Sequence, residues 1–231
     1  MKAYKGFNKN MTCRGFQFEE GKTYELTKDE TPKLCEFGFH ACEAPIDCLA
    51  YYAPCDSVYH EVELDGVTNE TSGDSKRVGS KITIGAKLDV AGIVKAQFDF
   101  TKEKCVNIQN GGNRSALTGG NGSALTGGYR SALTGGDMSA LTGGNGSALT
   151  GGDMSALTGG YMSALTGGNG SVMRGGEESE FKGGMWAVFA CEIKDGKGNI
   201  VAVKTAVVDG ETLKPDTWYT LKNDEWKEVG E

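Results

Sequence analysis

Two histidines, His40 and His60, and the cysteines at 13, 35, 42, 48, 55, 105 and 191 are the side chains of this 231-residue chain best suited to metal or nucleophilic chemistry. Four of them, His40, Cys42, Cys48 and Cys55, crowd one short stretch, and imidazole with thiolates is a usual zinc ligand set. Their spacing matches no paired-ligand knuckle, and Cys48 lies in an apolar helical stretch. Small buried thiols are therefore expected there, and no metal. A Cys–His nucleophile would need His40 or His60 as its base, and neither stands in a nucleophile motif. The Gly-Gly units between 111 and 184 are not phosphate loops, because no Lys-Ser/Thr and no helix follows them. Residue types alone therefore assign no catalytic residue and no cofactor.

The global numbers narrow the partners. A net charge of −7 and a pI near 5.0 leave no basic block to release counterions from a phosphate backbone, so nucleic acid is not expected as a partner. No apolar run approaches the roughly 20 residues that span a bilayer, and the start MKAYKGFNKNMTCRG has no apolar stretch behind its charges, so neither a membrane span nor an export signal is expected. An odd number of cysteines without a CxxC pair reads as reduced thiols in a cytoplasm.

Thirty-six glycines are about twice the usual share, and the excess is a repeat. From Gly111 the chain reads GGNRSALT, GGNGSALT, GGYRSALT, GGDMSALT, GGNGSALT, GGDMSALT, GGYMSALT, then decays through GGNGSVMR and GGEESEFK to GGMWAVFA. Two glycines in every eight residues exclude an α-helix. SALT reads as a short strand between turns, with glycine supplying positive φ. Eight residues cannot enclose a core, but two units make a 16-residue coil with two strands and two corners. The expectation is a flattened parallel β-solenoid of four to five coils. Alternation puts Ser and Leu on one face of each strand and Ala and Thr on the other. Leucine belongs inside, as a ladder through Leu117, Leu133, Leu149 and Leu165 with serine hydroxyls bonded to one another or to corner backbone.

The two variable positions after Gly-Gly fall at the corners. Asn, Asp and Gly suit corners for backbone reasons. Arg114, Tyr129, Arg130, Met138, Met154, Tyr161 and Met162 do not follow from turn chemistry and are the candidate binding residues, since Tyr, Met and Arg are enriched at interfaces. The units are similar to the calcium-binding nonapeptide GGxGxDxUx, but Ala116 and Ala124 stand where its carboxylate belongs, so calcium is not expected. GxxSAxTG also resembles the head repeats of trimeric autotransporter adhesins, which have a different period. The outward Thr column resembles ice-binding solenoids, with one Thr per strand instead of two, and ice binding is a minor alternative.

Residues 1–104 read as a mixed α+β domain, with strands at YHEVEL and ITIGAKLDV and a helix from Ala44 to Tyr52 opened by Pro45. Residues 105–184 are the solenoid. Residues 185–231 read as a β-hairpin cap: MWAVFACEI, IVAVKTAVV and TWYTLKNDEWKEV, separated by KDGKGN and DGE. Such a cap would cover a strand edge otherwise left bare. The sparsely charged Ala/Thr faces should themselves be covered, by the N-terminal domain or by a second copy in a homo-oligomer.

Two resemblances follow. MKAYKGFNKNMTCRGFQFEEGKTYE, FGFHACEAPIDCLAYYAP, the GxxSA repeat and GETLKPDTWYTL together resemble a family of uncharacterised proteins encoded by bacteriophages and prophages. That resemblance implies a place in an infected bacterial cytoplasm or in a virion, and no activity. The N-terminal segment also resembles the ADP-ribosyltransferase fold: Tyr4-Lys5-Gly6, Gly38-Phe39-His40-Ala41, Ala50-Tyr51-Tyr52 and Tyr59-His60-Glu61-Val62-Glu63 come in that fold's order. Lys5 replaces its Arg, no Ser-Thr-Ser follows Gly38, and a later Glu-x-Glu is missing. If NAD bound, His40 and Tyr51 would contact it. The expected function is a non-enzymatic interaction protein that binds a host or virion protein, for example as a counter-defence inhibitor. The alternative is an ADP-ribosyltransferase-like enzyme or NAD-binding module in residues 1–104.

Overall fold

A computed structural model describes all residues except 28, 55, 73 and 231. Cys55, one of the four clustered zinc candidates, thus lies outside the described residues. The chain divides into two compact units, Met1–Ala96 and Gln97–Glu231.

The first unit is built on an antiparallel sheet. Its strands are β1 (Lys2–Asn8), β4 (Thr23–Glu25), β5 (Phe39–Cys42), β6 (Ser57–Asp65), β7 (Lys76–Gly79) and β8 (Lys81–Leu88), with a small hairpin of β2 (Thr12–Cys13) and β3 (Phe16–Gln17) beside it. The order β4-β8-β6-β1-β5-β7 places β1 well inside the sheet. Five successive residues of β1, from Ala3 to Phe7, are buried, as expected of a strand covered on both faces. One core gathers Ala3, Phe7, Phe18, Ala41, Val62, Leu64, Ile82 and Ile84. The expected helix at 44–52 is a 3₁₀ turn at Pro45–Asp47 running into α1 (Cys48–Tyr51), with proline in the first turn, where its missing N–H costs nothing. Tyr52 then lies against Gly6: a Cβ on that glycine would come within 2.7 Å of the Tyr52 ring. A second helix, α2 (Val90–Lys104), was not legible as such. Asp89 starts it by accepting from the Gly92 N–H at 2.7 Å, and Ile93, Val94, Gln97, Phe98 and Thr101 are buried at helical spacing.

The solenoid forms as the repeat requires. About five turns run through residues 107–192, and strands 16 residues apart pair in parallel register, Leu117 on Leu133, Leu133 on Leu149 and Leu149 on Leu165 along one sheet, Leu125 on Leu141 and Leu141 on Leu157 along the other. Leu125, Leu133, Leu141, Leu149, Leu157 and Leu165 are all buried, each contributing roughly 1.5–3 kcal/mol over an exposed position. The serines behind them form a polar spine. Ser155, for example, donates its hydroxyl to the Gly136 carbonyl at 3.1 Å and its N–H to the Ser171 hydroxyl at 3.3 Å. Ser163 repeats the pattern with Gly144 and Ser179.

The glycine pairs correct the expectation that they supply positive φ. In the solenoid the left-handed position is the second corner residue, at Arg114 (φ 59°), Arg130 (55°), Gly146 (67°), Met162 (54°) and Glu178 (58°) on one edge. The paired glycines are present for space. A Cβ on Gly151 would sit 2.7 Å from Ser155 Cβ, and one on Gly152 would sit 2.1 Å from Asp137 Oδ1, closer than real carbons approach.

The C-terminal strands continue both sheets as antiparallel neighbours: Trp218–Lys222 beside Glu180–Gly183, and Ile200–Val207 beside Val188–Lys194. Trp226 meets Phe181 edge-on at 5.3 Å and Phe189 at 5.7 Å, closing the leucine stack with rings. At the other end Asn107–Asn110 forms an additional first rung. Gln109 stands in register with Leu125 and donates from Nε2 to the Thr118 carbonyl at 3.2 Å. The Ala/Thr faces differ. Ala140 and Ala156 are buried, whereas Ala132 and Ala148 on the other sheet are exposed.

Inward leucine has a direct test. Leu149→Asp places an unpaired carboxylate in the stack and is expected to lower stability by at least about 3 kcal/mol. Thr150→Asp, one residue away on the exposed face, should change it by less than about 1 kcal/mol. Urea melts of both variants decide; equal effects would reverse the facing.

Candidate functional site

A cavity of about 800 Å³ lies within the first unit. Four separate elements meet around it: β1 brings Lys5, β5 brings His40, α1 brings Tyr51 and β7 brings Lys76, with Arg14 from the β2–β3 turn. Phe16, Phe18, Tyr24, Phe37, Phe39 and Tyr52 supply flat apolar walls, and Glu25, Glu30 and Glu36 also line it. Two of these carboxylates are engaged locally. Glu36 pairs with Lys33 at 2.7 Å, and Glu30 accepts from the Thr27 N–H at 2.9 Å.

Lys5 is the unusual group, a buried lysine whose ammonium donates to the His40 carbonyl at 2.8 Å and lies 5.5 and 5.8 Å from the centres of the Phe7 and Phe18 rings. Aromatic faces and a carbonyl replace part of the lost hydration. His40 is held from both ring nitrogens. The Cys35 N–H donates to Nε2 at 2.9 Å, and Nδ1 sits 3.0 Å from the Gly38 carbonyl, which fixes the proton on Nδ1. Burial, opposed by the Gly38 carbonyl and reinforced by the nearby charges of Lys5, Arg14 and Lys76, lowers its pKa below 6.5. The imidazole is therefore neutral, with its one acceptor already occupied by backbone.

Across the cavity Tyr51 donates to Asp74 and accepts from Lys76 Nζ at 3.1 Å, while the same ammonium stands 4.7 Å from its ring centre. Burial and then the Asp74 carboxylate push the phenol pKa up. The Tyr51 hydroxyl bond in turn raises the Lys76 pKa. Burial would raise the Asp74 pKa, but hydrogen bonds from Ser72 and Tyr51 outweigh it and hold the carboxyl low. Cys13, Cys35, Cys42 and Cys48 all reach the cavity. Contact with Cys42, followed by burial, raises the Cys48 pKa well above 9.0, so this thiol is inert at neutral pH. Sequence reasoning brought out His40 and Tyr51, took Lys5 only as a departure from the ADP-ribosyltransferase arginine, and missed Arg14 and Lys76. The signal for Lys5 was a lysine inside a strand that is otherwise apolar.

No residue of β6 lines the cavity; Glu61 is paired with Lys2 at 2.9 Å, and His60 is buried with Nδ1 2.9 Å from the Gly85 carbonyl. Among the described residues no group of three or more His, Cys, Asp or Glu could hold a metal ion. No described helix is long and apolar enough to cross a membrane.

Residues 1–96 match the family model of a domain of unknown function (DUF7666). That span coincides with the first unit and its cavity, and it is consistent with an uncharacterised conserved N-terminal domain. No curated protein and no solved structure matches the chain.

The remaining candidate residues lie on the two solenoid edges. On the edge of even-numbered units each Asn or Asp side chain accepts an N–H from the coil above: Asn121 from Asp137, Asp137 from Asp153, Asp153 from Asn169 and Asn169 from Met185, at 2.8–3.0 Å. Met138 and Met154 flank this ladder. On the odd edge Asn113 accepts from Tyr129 and Asn145 from Tyr161, and each tyrosine then interrupts the series because it has no short acceptor to offer. Both tyrosines are 42% exposed. Arg114, Arg130 and Met162 project from the same edge, with the Arg130 guanidinium 5.0 Å from the Tyr129 ring centre.

The lowered His40 pKa gives a signed pH effect. The unfolded chain takes up a proton near pH 6.5 and the folded chain resists it, so this histidine costs stability as pH falls through 6.5. Urea melts on either side of that pH are expected to show the loss, and His40→Gln should flatten it. An NMR titration midpoint for His40 above 6.5 would contradict the assignment.

Proposed function

We propose that the chain is a non-enzymatic interaction protein of bacteriophage or prophage origin, in which the solenoid is a rigid scaffold and its corner residues meet a host or virion protein. The observation that carries this reading is the pair Tyr129 and Tyr161. They occupy corner positions where Asn or Asp would continue a backbone-bonding ladder, as on the opposite edge, yet they project into solvent. Tyr161 bonds Glu178 of its own chain, but a corner residue that gives up the backbone-bonding ladder and leaves an aromatic ring 42% exposed is better explained by contact than by folding. The phage-like N-terminal phrases support the setting, an infected bacterial cytoplasm or a virion.

This trade has a measurable form. Tyr129→Asn and Tyr161→Asn each offer an acceptor to the coil above, so each is expected to raise stability by about 0.5–1 kcal/mol. The double variant should melt higher and capture less partner protein from infected-cell lysate than the unaltered chain. A variant that melts lower, or that captures its partner undiminished, would refute the reading.

A second reading is favoured by the cavity: residues 1–96 bind a planar, anionic small molecule of the nucleotide class, NAD included. Flat aromatic walls suit a base, and Lys5, Arg14 and Lys76 suit phosphate. The resemblance to the ADP-ribosyltransferase fold points to the same ligands, while the absence of a β6 carboxylate from the cavity argues for binding without transfer. Isothermal titration of the full chain with NAD and ADP tests it. Saturable binding weakened roughly tenfold by Arg14→Gln is expected; no heat at millimolar ligand would remove the reading.

A further inference from the structure

The odd edge of the solenoid carries opposite charge at its two ends and a tyrosine one level either side of its centre. Its five levels are Asn113-Arg114, Tyr129-Arg130, Asn145-Gly146, Tyr161-Met162 and Glu177-Glu178, each 16 residues after the last. They are stacked in register by backbone hydrogen bonds: Arg114 N–H to the Tyr129 carbonyl, Arg130 to Asn145, Gly146 to Tyr161 and Met162 to Glu177. Positive φ at all five second positions sends their side chains off the rod in one column. Levels are about 4.8 Å apart, so the column is about 19 Å long. One end carries two arginines and the other two glutamates, aromatic rings stand one level either side of the centre, and the centre is the smallest residue.

We propose that this edge is a self-recognition surface that pairs with the same edge of a second copy, the two solenoids antiparallel about a two-fold axis passing through the level of Gly146. A two-fold lying in the contact plane and perpendicular to the rod inverts the order of levels and keeps first positions opposite first positions. Arg114 then faces Glu178 of the second copy, whose carboxylate also bonds that copy's own Tyr161, and Asn113 faces its Glu177, which accepts from the Lys194 N–H at 2.8 Å. Tyr129 faces Tyr161, and Arg130 faces Met162. Gly146 meets itself, where any longer side chain would hold the rods apart. The end levels pair opposite charge and the inner levels pair tyrosine with tyrosine in this orientation, with the Arg130 guanidinium stacked on Tyr129 of its own chain. In the parallel orientation, with the two-fold along the rod, first and second positions would exchange, so Glu178 would face Glu177 and the two copies' Arg114 and Arg130 would crowd one end. The opposite edge is itself a palindrome, Asn121-Gly122, Asp137-Met138, Asp153-Met154 and Asn169-Gly170, but the same antiparallel pairing there would set Asp137 against Asp153 with no basic residue to offset them.

The pairing rests on the reading of the odd edge as a contact surface and gives that edge a second occupant, another copy of the chain, which would compete there with the host or virion protein. A strip this narrow falls in the low-area class of interfaces, so the association belongs in the micromolar range or weaker.

Sedimentation of the full chain over micromolar to high-micromolar concentrations tests it, with thermal melts confirming that each variant is folded. The expected result is a concentration-dependent rise from 24.4 kDa toward twice that mass. Arg114→Glu alone and Glu178→Arg alone should each weaken it roughly tenfold or more by opposing like charges. Mixing the two variants should restore the dimer, because each then supplies the charge the other needs. Gly146→Arg should abolish it without unfolding the coil, since Arg114 and Arg130 already hold that backbone conformation; Asp137→Arg on the opposite edge should leave it unchanged. A chain of monomer mass throughout, or a dimer indifferent to both charge reversals and to their mixing, would overturn the pairing. Capture of a host protein that survives Gly146→Arg would leave the contact surface standing without it.

Discussion

Every coil of the solenoid depends on one close contact, a serine side chain lodged against a glycine that has no Cβ. Ser155 fills the space where Gly151 would otherwise carry a carbon, and from there its hydroxyl reaches the Gly136 carbonyl of the neighbouring coil. The serine thus satisfies corner backbone in an interior too thin for water and keeps successive coils 16 residues apart. Leucine stacking follows from that register, because side chains 16 residues apart then lie in contact along the rod. Insertion of a single residue would move a leucine to the outer face, which explains why the seven clean repeats contain none.

With the interior so constrained, variation is confined to the corners, and the corners have diverged by edge. The even edge has kept the backbone-bonding residues Asn121, Asp137, Asp153 and Asn169 in an unbroken series. The odd edge alternates Asn with Tyr, while both edges place residues with side chains, Arg114, Arg130 and Met162 on one and Met138 and Met154 on the other, in a left-handed conformation that costs each about 1 kcal/mol. Glycine at the same position in Gly146 avoids that cost. What the odd edge alone forgoes is the side-chain acceptor at Tyr129 and Tyr161, and those two rings are the exposed ones.

The first unit follows a different logic. Its cavity is assembled from groups that are distant in the chain, and its cations are held by weak, shared partners: Lys5 by a carbonyl and two rings, Lys76 by a phenol and that phenol's own ring. Neither has a close carboxylate of its own among the described ion pairs. Such cations keep much of their field directed into the cavity, whereas His40, neutral and bonded at both nitrogens, acts as a wall.

The sequence by itself determined the solenoid, because an eight-residue period with leucine and serine on alternate sides admits one inward face and one coil length. It also determined the hairpins of the cap, through Asp-Gly, Gly-Asn and Asn-Asp turns between β-rich runs. It could not show which glycines save space and which adopt positive φ, since that depends on the coil above. The helix Val90–Lys104 was obscured by Gly92 and by the mixed polarity of its buried face, where Gln97 and Thr101 lie beside Ile93 and Phe98. Only the tertiary structure decided that one Ala/Thr face is buried at Ala140 and Ala156 while the other is left open. It alone brought Lys5, His40, Tyr51 and Lys76 from four elements to one cavity. Local periodicity fixes contacts between neighbouring repeats, but a site made of residues up to 71 positions apart exists only once the sheet order β6-β1-β5-β7 has been chosen.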